Sequence, residues 1–150
     1  MLKAIRRIFD PEPGEGSAAP AYERRQLQLA VAVLLHEARR ADPVEGAGES
    51  AAAERALGEL FGLDRPESAA LLVQGRARAE QLTSFYAPVS VIKRDFPLPE
   101  RIRLVEHLWR VSFADGRLDL HEDHYVRKIA HLLYVPNTQS MLARNRARSS

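Results

Sequence analysis

Apolar residues recur at helical spacing along this chain, and no segment alternates apolar and polar positions long enough to indicate a β-strand. Similar apolar faces predict helices at about 22–41, 49–61, 64–86, 88–92, 99–114 and 120–134, with a short one after residue 136. In the first of these, an i, i+4, i+7, i+8 pattern typical of a helix facing a core is formed by Leu27, Val31, Leu34, Leu35 and Ala38. We therefore expect an all-α fold of about seven helices.

The third predicted helix has the clearest start signal. Asp64 is a favoured N-cap residue, Pro66 falls in the first turn, and Glu67 follows at the spacing of a capping box. Gly62, just after the second helix, suits a left-handed C-terminal stop. We expect the apolar face of the third helix to consist of Ala70, Leu71, Val73, Ala77 and Leu82.

The chain also repeats itself at a fixed offset. Asp42 precedes Glu49 by the same interval that separates Asp115 from Glu122, and one constant shift superposes the two pairs. The same shift superposes apolar positions of the flanking helices, among them Val31 on Leu104, Leu35 on Leu108, Ala38 on Val111 and Ala56 on Ile129. A unit that recurs in this way is usually one supersecondary element that cannot bury its apolar face alone. We therefore predict two copies of a helix–acidic turn–helix unit.

Length and composition limit the class of protein. A chain of 150 residues fits one domain, and we place this helical domain at residues 21–143. Residues 1–20 form a short amphipathic segment (Met1–Phe9) and a flexible linker, and residues 144–150 form a basic tail. Because there is no cysteine, only oxygen and imidazole groups are available as metal ligands.

Charge and hydropathy limit the kinds of partner that we expect. The net charge of +2 comes from the basic ends, since residues 21–143 contain 16 basic and 17 acidic residues, so we expect no nucleic-acid partner. No apolar run approaches the roughly 20 residues of a membrane span, and the N-terminus does not resemble a secretory signal. We expect a cytoplasmic protein whose Met1–Phe9 segment could contact the periphery of the inner membrane or a partner protein.

The second acidic turn offers candidate metal ligands. It matches positions 5, 6, 8, 9 and 12 of an EF-hand calcium loop through Asp115, Gly116, Leu118, Asp119 and Glu122. Positions 1 and 3 would be Val111 and Phe113, which have no side-chain oxygen. A complete EF-hand is therefore not expected, and a cation would be held by fewer carboxylates with carbonyls and water.

Helix capping explains part of the same pattern. Asp119 and Glu122 have capping-box spacing, but Asp42 and Asp115 stand at the C-terminal ends of helices, where the macrodipole disfavours a carboxylate by about 0.3–1 kcal/mol. The compensation remains open between a cation, the next helix N-terminus, an Asx turn, and the arginines Arg39, Arg40, Arg110 and Arg117. The first turn offers fewer ligands, because proline and glycine replace Gly116 and Asp119 there.

The histidines and the other motifs give little support for catalysis. His121 and His124 are separated by three residues rather than the four of the zinc-protease motif, and His131 continues the same helix face, so we expect a surface face rather than a zinc or iron site. We expect His36 to be a partly buried packing residue. No nucleophile context or phosphate loop is present. We expect no enzyme; a metal-dependent hydrolase would need the acids to converge with His121 or His124.

The string from Leu108 to Glu122, Leu-Trp-x-Val-x-x-Ala-Asp-Gly-x-Leu-Asp-x-x-Glu, resembles the tellurite-resistance TerB family, with a weaker copy from Leu34 to Asp42. This resemblance covers about residues 22–143. It implies a compact bundle of about seven helices with pseudo-twofold symmetry, a divalent-cation site, and a role in tellurite or general chemical stress, often beside membrane proteins. The positions carried over are Asp42, Glu49, Asp115 and Glu122, with Asp119 as a secondary one.

We therefore expect a non-enzymatic TerB-like domain that binds a divalent cation weakly and contacts a protein partner. Calcium is the first expectation because the ligands are hard oxygens, and zinc or magnesium are the alternatives. The competing hypothesis is a structural adaptor that docks on a membrane or a partner protein, in which the acids serve only as helix caps.

Overall fold

The computed structural model describes residues 13–40, 47–114, 118 and 120–149, with side chains for residues 20–39, 50–114, 118 and 120–149. Within these ranges the chain forms helices and no strand, which confirms the predicted all-α fold. The seven described helices are α1 (Pro13–Arg40), α2 (Ala47–Phe61), α3 (Arg65–Ala79), α4 (Tyr86–Asp95), α5 (Leu98–Phe113), α6 (Leu120–Leu132) and α7 (Asn137–Ser149).

Two helix ends near the chain termini differ from the sequence prediction. α1 begins at Pro13, so much of the predicted linker is helical and Pro20 lies inside the helix. Proline is favoured in a first helical turn, and the alanines before Pro20 are strong helix formers. α7 continues to Ser149, through most of the predicted basic tail, because Ala143 and Ala147 are buried against the bundle.

The connection from α2 to α3 agrees closely with the prediction. Gly62 adopts a left-handed φ of 69°, and the next amide, that of Leu63, donates to the carbonyl of Gly58. The Asp64 carboxylate accepts a hydrogen bond from the Glu67 amide at 2.9 Å, and the Glu67 carboxylate accepts one from the Asp64 amide at 3.0 Å. A complete capping box therefore fixes the start of α3.

The buried face of α3 differs from the predicted one. Val73 is 67% exposed, and Ala70 and Ala77 are exposed as well, whereas the buried residues are Ser68, Leu71, Leu72, Gly75 and Ala79. The reason is a close crossing with α1: a Cβ built on Gly75 would lie 2.6 Å from the Cβ of Ala32. The helices α1 and α3 come close together at Gly75, which has no side chain. The apolar pattern of the sequence therefore did not reveal which face of α3 is buried. α3 also ends at Ala79 rather than near residue 86, through tight turns that lead into α4.

Two central helices, α1 and α5, carry most of the core. Consecutive residues 30–36 of α1 are buried, as expected for a helix surrounded by others, and α5 contributes Leu104, Leu108 and Trp109, each 0% exposed. α1 packs mainly on α3, and α5 packs mainly on α7. This pairing is what a duplicated unit would give, but the internal repeat itself stays a prediction. No described helix has both the length and the apolar composition that a membrane span requires.

Candidate cation site at the acidic turns

The structure describes only part of the predicted ligand set. Asp42, Asp115 and Asp119 lie outside the described residues. Glu49 belongs to the first turn of α2, but its side chain is also outside the description. Glu122 is fully described, at the third position of α6. The five carboxylates stay candidate ligands, and the described geometry of the site is that of Glu122 and its surroundings.

Glu122 is the carboxylate that the described part of the chain buries most deeply, with a relative exposure of 1%. Removing a carboxylate from water costs several kcal/mol unless hydrogen-bond donors or a positive charge compensate. The first turn of α6 supplies part of this compensation, because the N-terminal amides and the positive end of the helix dipole favour a carboxylate. Glu122 is thus a buried carboxylate directly after the second acidic turn.

Three helices hold the surroundings of this turn in place. The Arg144 guanidinium of α7 lies 5.6 Å from the Trp109 ring centroid and 5.9 Å from the Phe113 ring centroid, both on α5. The Nε atom of Arg144 is also 3.7 Å from Oδ1 of Asp123 on α6. The end of α5 and the start of α6 are therefore joined by one arginine of α7, through cation–π contacts and an ion pair.

Asp123 forms ion pairs with two arginines. Besides Arg144, it accepts a hydrogen bond at 2.7 Å from Nε of Arg127, one turn further along α6. An i, i+4 pair of this kind stabilises the helix by a few tenths of a kcal/mol. In the first turn of α6 the buried Glu122, not the partly exposed Asp123, is the carboxylate directed away from solvent.

α6 is also joined to α1, the helix that precedes the first acidic turn. The Tyr125 hydroxyl donates to the backbone carbonyl of Leu34 at 2.8 Å, and its ring packs edge-on against Phe85 with centroids 5.7 Å apart. Burial, with a smaller contribution from the Glu37 charge, raises the pKa of Tyr125 well above its ordinary value. Tyr125 therefore remains a neutral donor, and it connects the helices that flank the two acidic turns. Sequence reasoning missed it, although it lies one turn after Glu122.

The histidines of α6 occupy a different face from Glu122. His121, His124 and His131 are exposed, as predicted, whereas Glu122 faces the core. His36 is 4% exposed, so it is more deeply buried than predicted, and its Nε2 lies 3.9 Å from Oε2 of Glu37. Within the described ranges, no three histidine or carboxylate side chains come together as a metal-binding group.

A second polar cluster, missed in the sequence, lies where α2 meets α5. His107 is 4% exposed, and its Nε2 is 3.4 Å from Oε1 of Glu59. Arg110 lies 3.7 Å from the same Glu59 oxygen and 2.6 Å from Oε2 of Glu106. The other oxygen of Glu106, Oε1, lies 2.6 Å from Nε of Arg146 on α7. Burial lowers the pKa of His107 to about 4, although the charge of Glu59 opposes the shift. The sequence signal that could have placed His107 in the core is its position next to Leu108, which faces inward on α5.

Fold and site together define a small all-helical domain with a buried carboxylate at the start of a helix that follows an acidic turn. The family model for the tellurite resistance protein TerB matches residues 28–145. The chain therefore belongs to the TerB family, as its Leu108–Glu122 string indicates. Neither a curated protein nor a solved structure matches this chain.

Proposed function

We propose that this TerB domain is a non-enzymatic cytoplasmic protein that binds a divalent cation weakly at its acidic turns and contacts a protein partner during tellurite or chemical stress, at the inner membrane in some settings. The observation that supports cation binding best is the 1% exposure of Glu122 directly after the second turn. A buried carboxylate with a rigid scaffold offers a cation a ligand that loses little further freedom on binding. The ligands would be Glu122, Asp115 and Asp119, joined by Asp42 and Glu49 if the two turns meet.

Further support comes from comparing two helix starts with the same sequence pattern. Asp64 and Glu67 at α3 have the same spacing as Asp119 and Glu122 at α6. At α3 the capping box is complete and Glu67 is exposed to water. At α6 the corresponding glutamate is buried. Capping alone does not require burial, so the environment of Glu122 indicates a further role for its charge.

Calcium is the first candidate ion. The proposed ligands are hard oxygens, which suit Ca²⁺, while Mg²⁺ and Zn²⁺ are alternatives with stricter geometry. A cation that binds only the folded state stabilises it by RT ln(1 + [L]/Kd), about 2.7 kcal/mol when the ion is at a hundred times its Kd. For a chain of this length that corresponds to a rise in melting temperature of roughly 5–10 °C.

The test is calorimetric titration and thermal unfolding of chelator-stripped protein with Ca²⁺, Mg²⁺, Mn²⁺ and Zn²⁺ in turn. We expect at least one ion to raise the melting temperature of the wild type, and Glu122→Gln to abolish most of that rise. Glu67→Gln is the matched control, because it alters the same position of an exposed capping box and should leave the ion response intact. If all four ions leave the melting temperature and the amide signals of residues 115–122 unchanged, the proposal is wrong.

The structural adaptor is the alternative, and the capping box at α3 is the observation that favours it. That box shows that this chain stabilises a helix start through reciprocal hydrogen bonds of Asp and Glu at this spacing. The adaptor hypothesis expects no ion response, a small stability cost for Asp115→Asn, and loss of membrane-fraction recovery when residues 1–9 are removed. The Met1–Phe9 segment lies outside the described residues.

A further inference from the structure

A groove lies between the start of α4 and the end of α6. Its volume is about 440 Å³, which is within the range of ligand-binding clefts. Val89 and Leu132 contribute apolar surface to it, and the Tyr86 and Tyr134 side chains, which are 79% and 72% exposed, flank it. Two exposed tyrosines beside an apolar groove are typical of surfaces that bind other proteins.

Among the residues that the structure describes, the groove is lined by basic groups and by no carboxylate. Its charged and titratable lining side chains, apart from the tyrosines, are Lys93, Lys128 and His131. Two of the three lysines of the chain lie in this one groove. Elsewhere on the described surface, arginines such as Arg127 and Arg94 are paired with neighbouring carboxylates, whereas neither groove lysine has an ion-pair partner among the described residues. The groove therefore offers positive charge that no carboxylate of the described part of the chain neutralises.

Tyr134 occupies a backbone conformation that normally selects glycine. Its φ is 58°, and the amide of Val135 donates to the carbonyl of Ala130, a hydrogen bond that spans the same number of residues as the one that ends α2 at Gly62. Two equivalent helix ends thus use a left-handed residue, but only one of them is glycine. A bulky residue in this conformation is strained, and such strain concentrates at functional positions. The ring lies 4.2 Å from Nζ of Lys93, so the strained residue holds an aromatic surface beside a groove lysine.

We propose that this groove binds a short acidic segment of a partner protein, with an apolar side chain on Val89 and Leu132 and carboxylates at Lys93 and Lys128. The number of charges selects this occupant. Two lysines and a histidine are fewer than the roughly 6–10 phosphate contacts of a typical DNA-binding surface or the 4–8 basic residues of a membrane-binding cluster. The inference rests on the partner-binding part of the proposed function and is independent of its cation site.

The scarcity of lysine allows a direct test. Reductive methylation with ¹³C-formaldehyde labels the three lysines and the N-terminal amine while keeping their charge. The probe is an acetylated Glu-Asp-Leu-Asp-Glu peptide, compared with the Gln-Asn-Leu-Asn-Gln peptide, in a buffer with chelator. We expect the acidic peptide to shift the Lys93 and Lys128 signals saturably and to leave the Lys3 signal in place. The amide peptide should bind at least about tenfold more weakly, which corresponds to 1.4 kcal/mol.

Matched variants separate binding from folding. Lys93→Gln with Lys128→Gln should weaken binding of the acidic peptide at least about tenfold, again 1.4 kcal/mol. Binding to these variants is measured by peptide fluorescence anisotropy. The control, Arg55→Gln with Arg148→Gln, removes the same charge from positions that do not line the groove and should keep the affinity. Tyr134→Gly gives the cap the residue that its backbone favours, so it should keep a native amide spectrum while losing peptide affinity and the ring-current shift of the Lys93 methyl signal.

Several results would overturn the inference. These are equal affinity for the two peptides, no shift of the groove lysines at millimolar peptide, equal losses in the groove and control variants, or full peptide affinity in Tyr134→Gly. Equal shifts of the lysine signals by inorganic phosphate, an oligonucleotide or phosphatidylglycerol vesicles would also overturn it, because they would show a general anion site. Because chelator is present throughout, a failed cation titration and a failed peptide titration remain separate results.

Discussion

The buried His107 predicts a defined loss of stability on acidification. Its pKa is lowered to about 4 by burial in the folded protein, whereas an unfolded chain has the ordinary value near 6.5. Between these pH values the unfolded state binds more protons, so stability is complete above pH 6.5 and falls as the pH drops toward 4. The expected loss relative to pH 7 is about 2 kcal/mol at pH 5 and about 3 kcal/mol at pH 4.

The assay is urea denaturation of the wild type and of His107→Gln at pH 7, 6, 5 and 4, with the histidine ring signal followed by NMR. Glu59, Glu106, Arg103 and Arg110 surround the ring in both proteins, so the difference between the two pH profiles isolates His107. We expect His107→Gln to be less stable than the wild type at pH 7 but to lose about 3 kcal/mol less on going to pH 4. The exposed His124→Gln is the control and should keep the wild-type slope. Parallel profiles for the wild type and His107→Gln would refute the reasoning.

Two further predictions concern glycines of the scaffold, and both are measured by urea denaturation. Gly75→Ala should lower the unfolding free energy by about 1–2 kcal/mol, because the new Cβ would overlap Ala32 and an overpacking cost of about 2–3 kcal/mol outweighs the gain of about 1 kcal/mol in helix propensity. Ala32→Gly in the chain that carries Gly75→Ala should recover only part of the loss, because backbone atoms of residue 32 also lie within 3.0 Å of the new Cβ. If Gly75→Ala were at least as stable as the wild type, this result would contradict the close crossing of α1 and α3. Gly62→Ala should cost about 1–2 kcal/mol from its left-handed φ alone, since nothing lies within 4 Å of the added Cβ, and an unchanged midpoint would contradict this.

Helices α1, α2, α5 and α6 were predictable from the sequence because each of them buries an apolar stripe whose period is visible in the chain. The start of α3 was predictable because capping depends on local residues only, here Asp64 and Glu67. The buried face of α3 was not, since it is set by the distance to α1, and Gly75 carries no hydrophobic signal. The length of α7 was missed for a related reason: two small residues, Ala143 and Ala147, bury its basic end against the bundle.

The site was only partly predictable because burial is decided by residues distant in the chain. Sequence spacing makes Glu122 and Glu67 equivalent, each three residues after an aspartate at a helix start. The structure separates them: Glu67 is exposed to water, while Glu122 is 1% exposed. A charge in the first environment is easily hydrated, and a charge in the second needs a lasting partner. The pair therefore separates an exposed cap from a buried carboxylate, and Glu122→Gln against Glu67→Gln is the comparison that tests the proposed cation site.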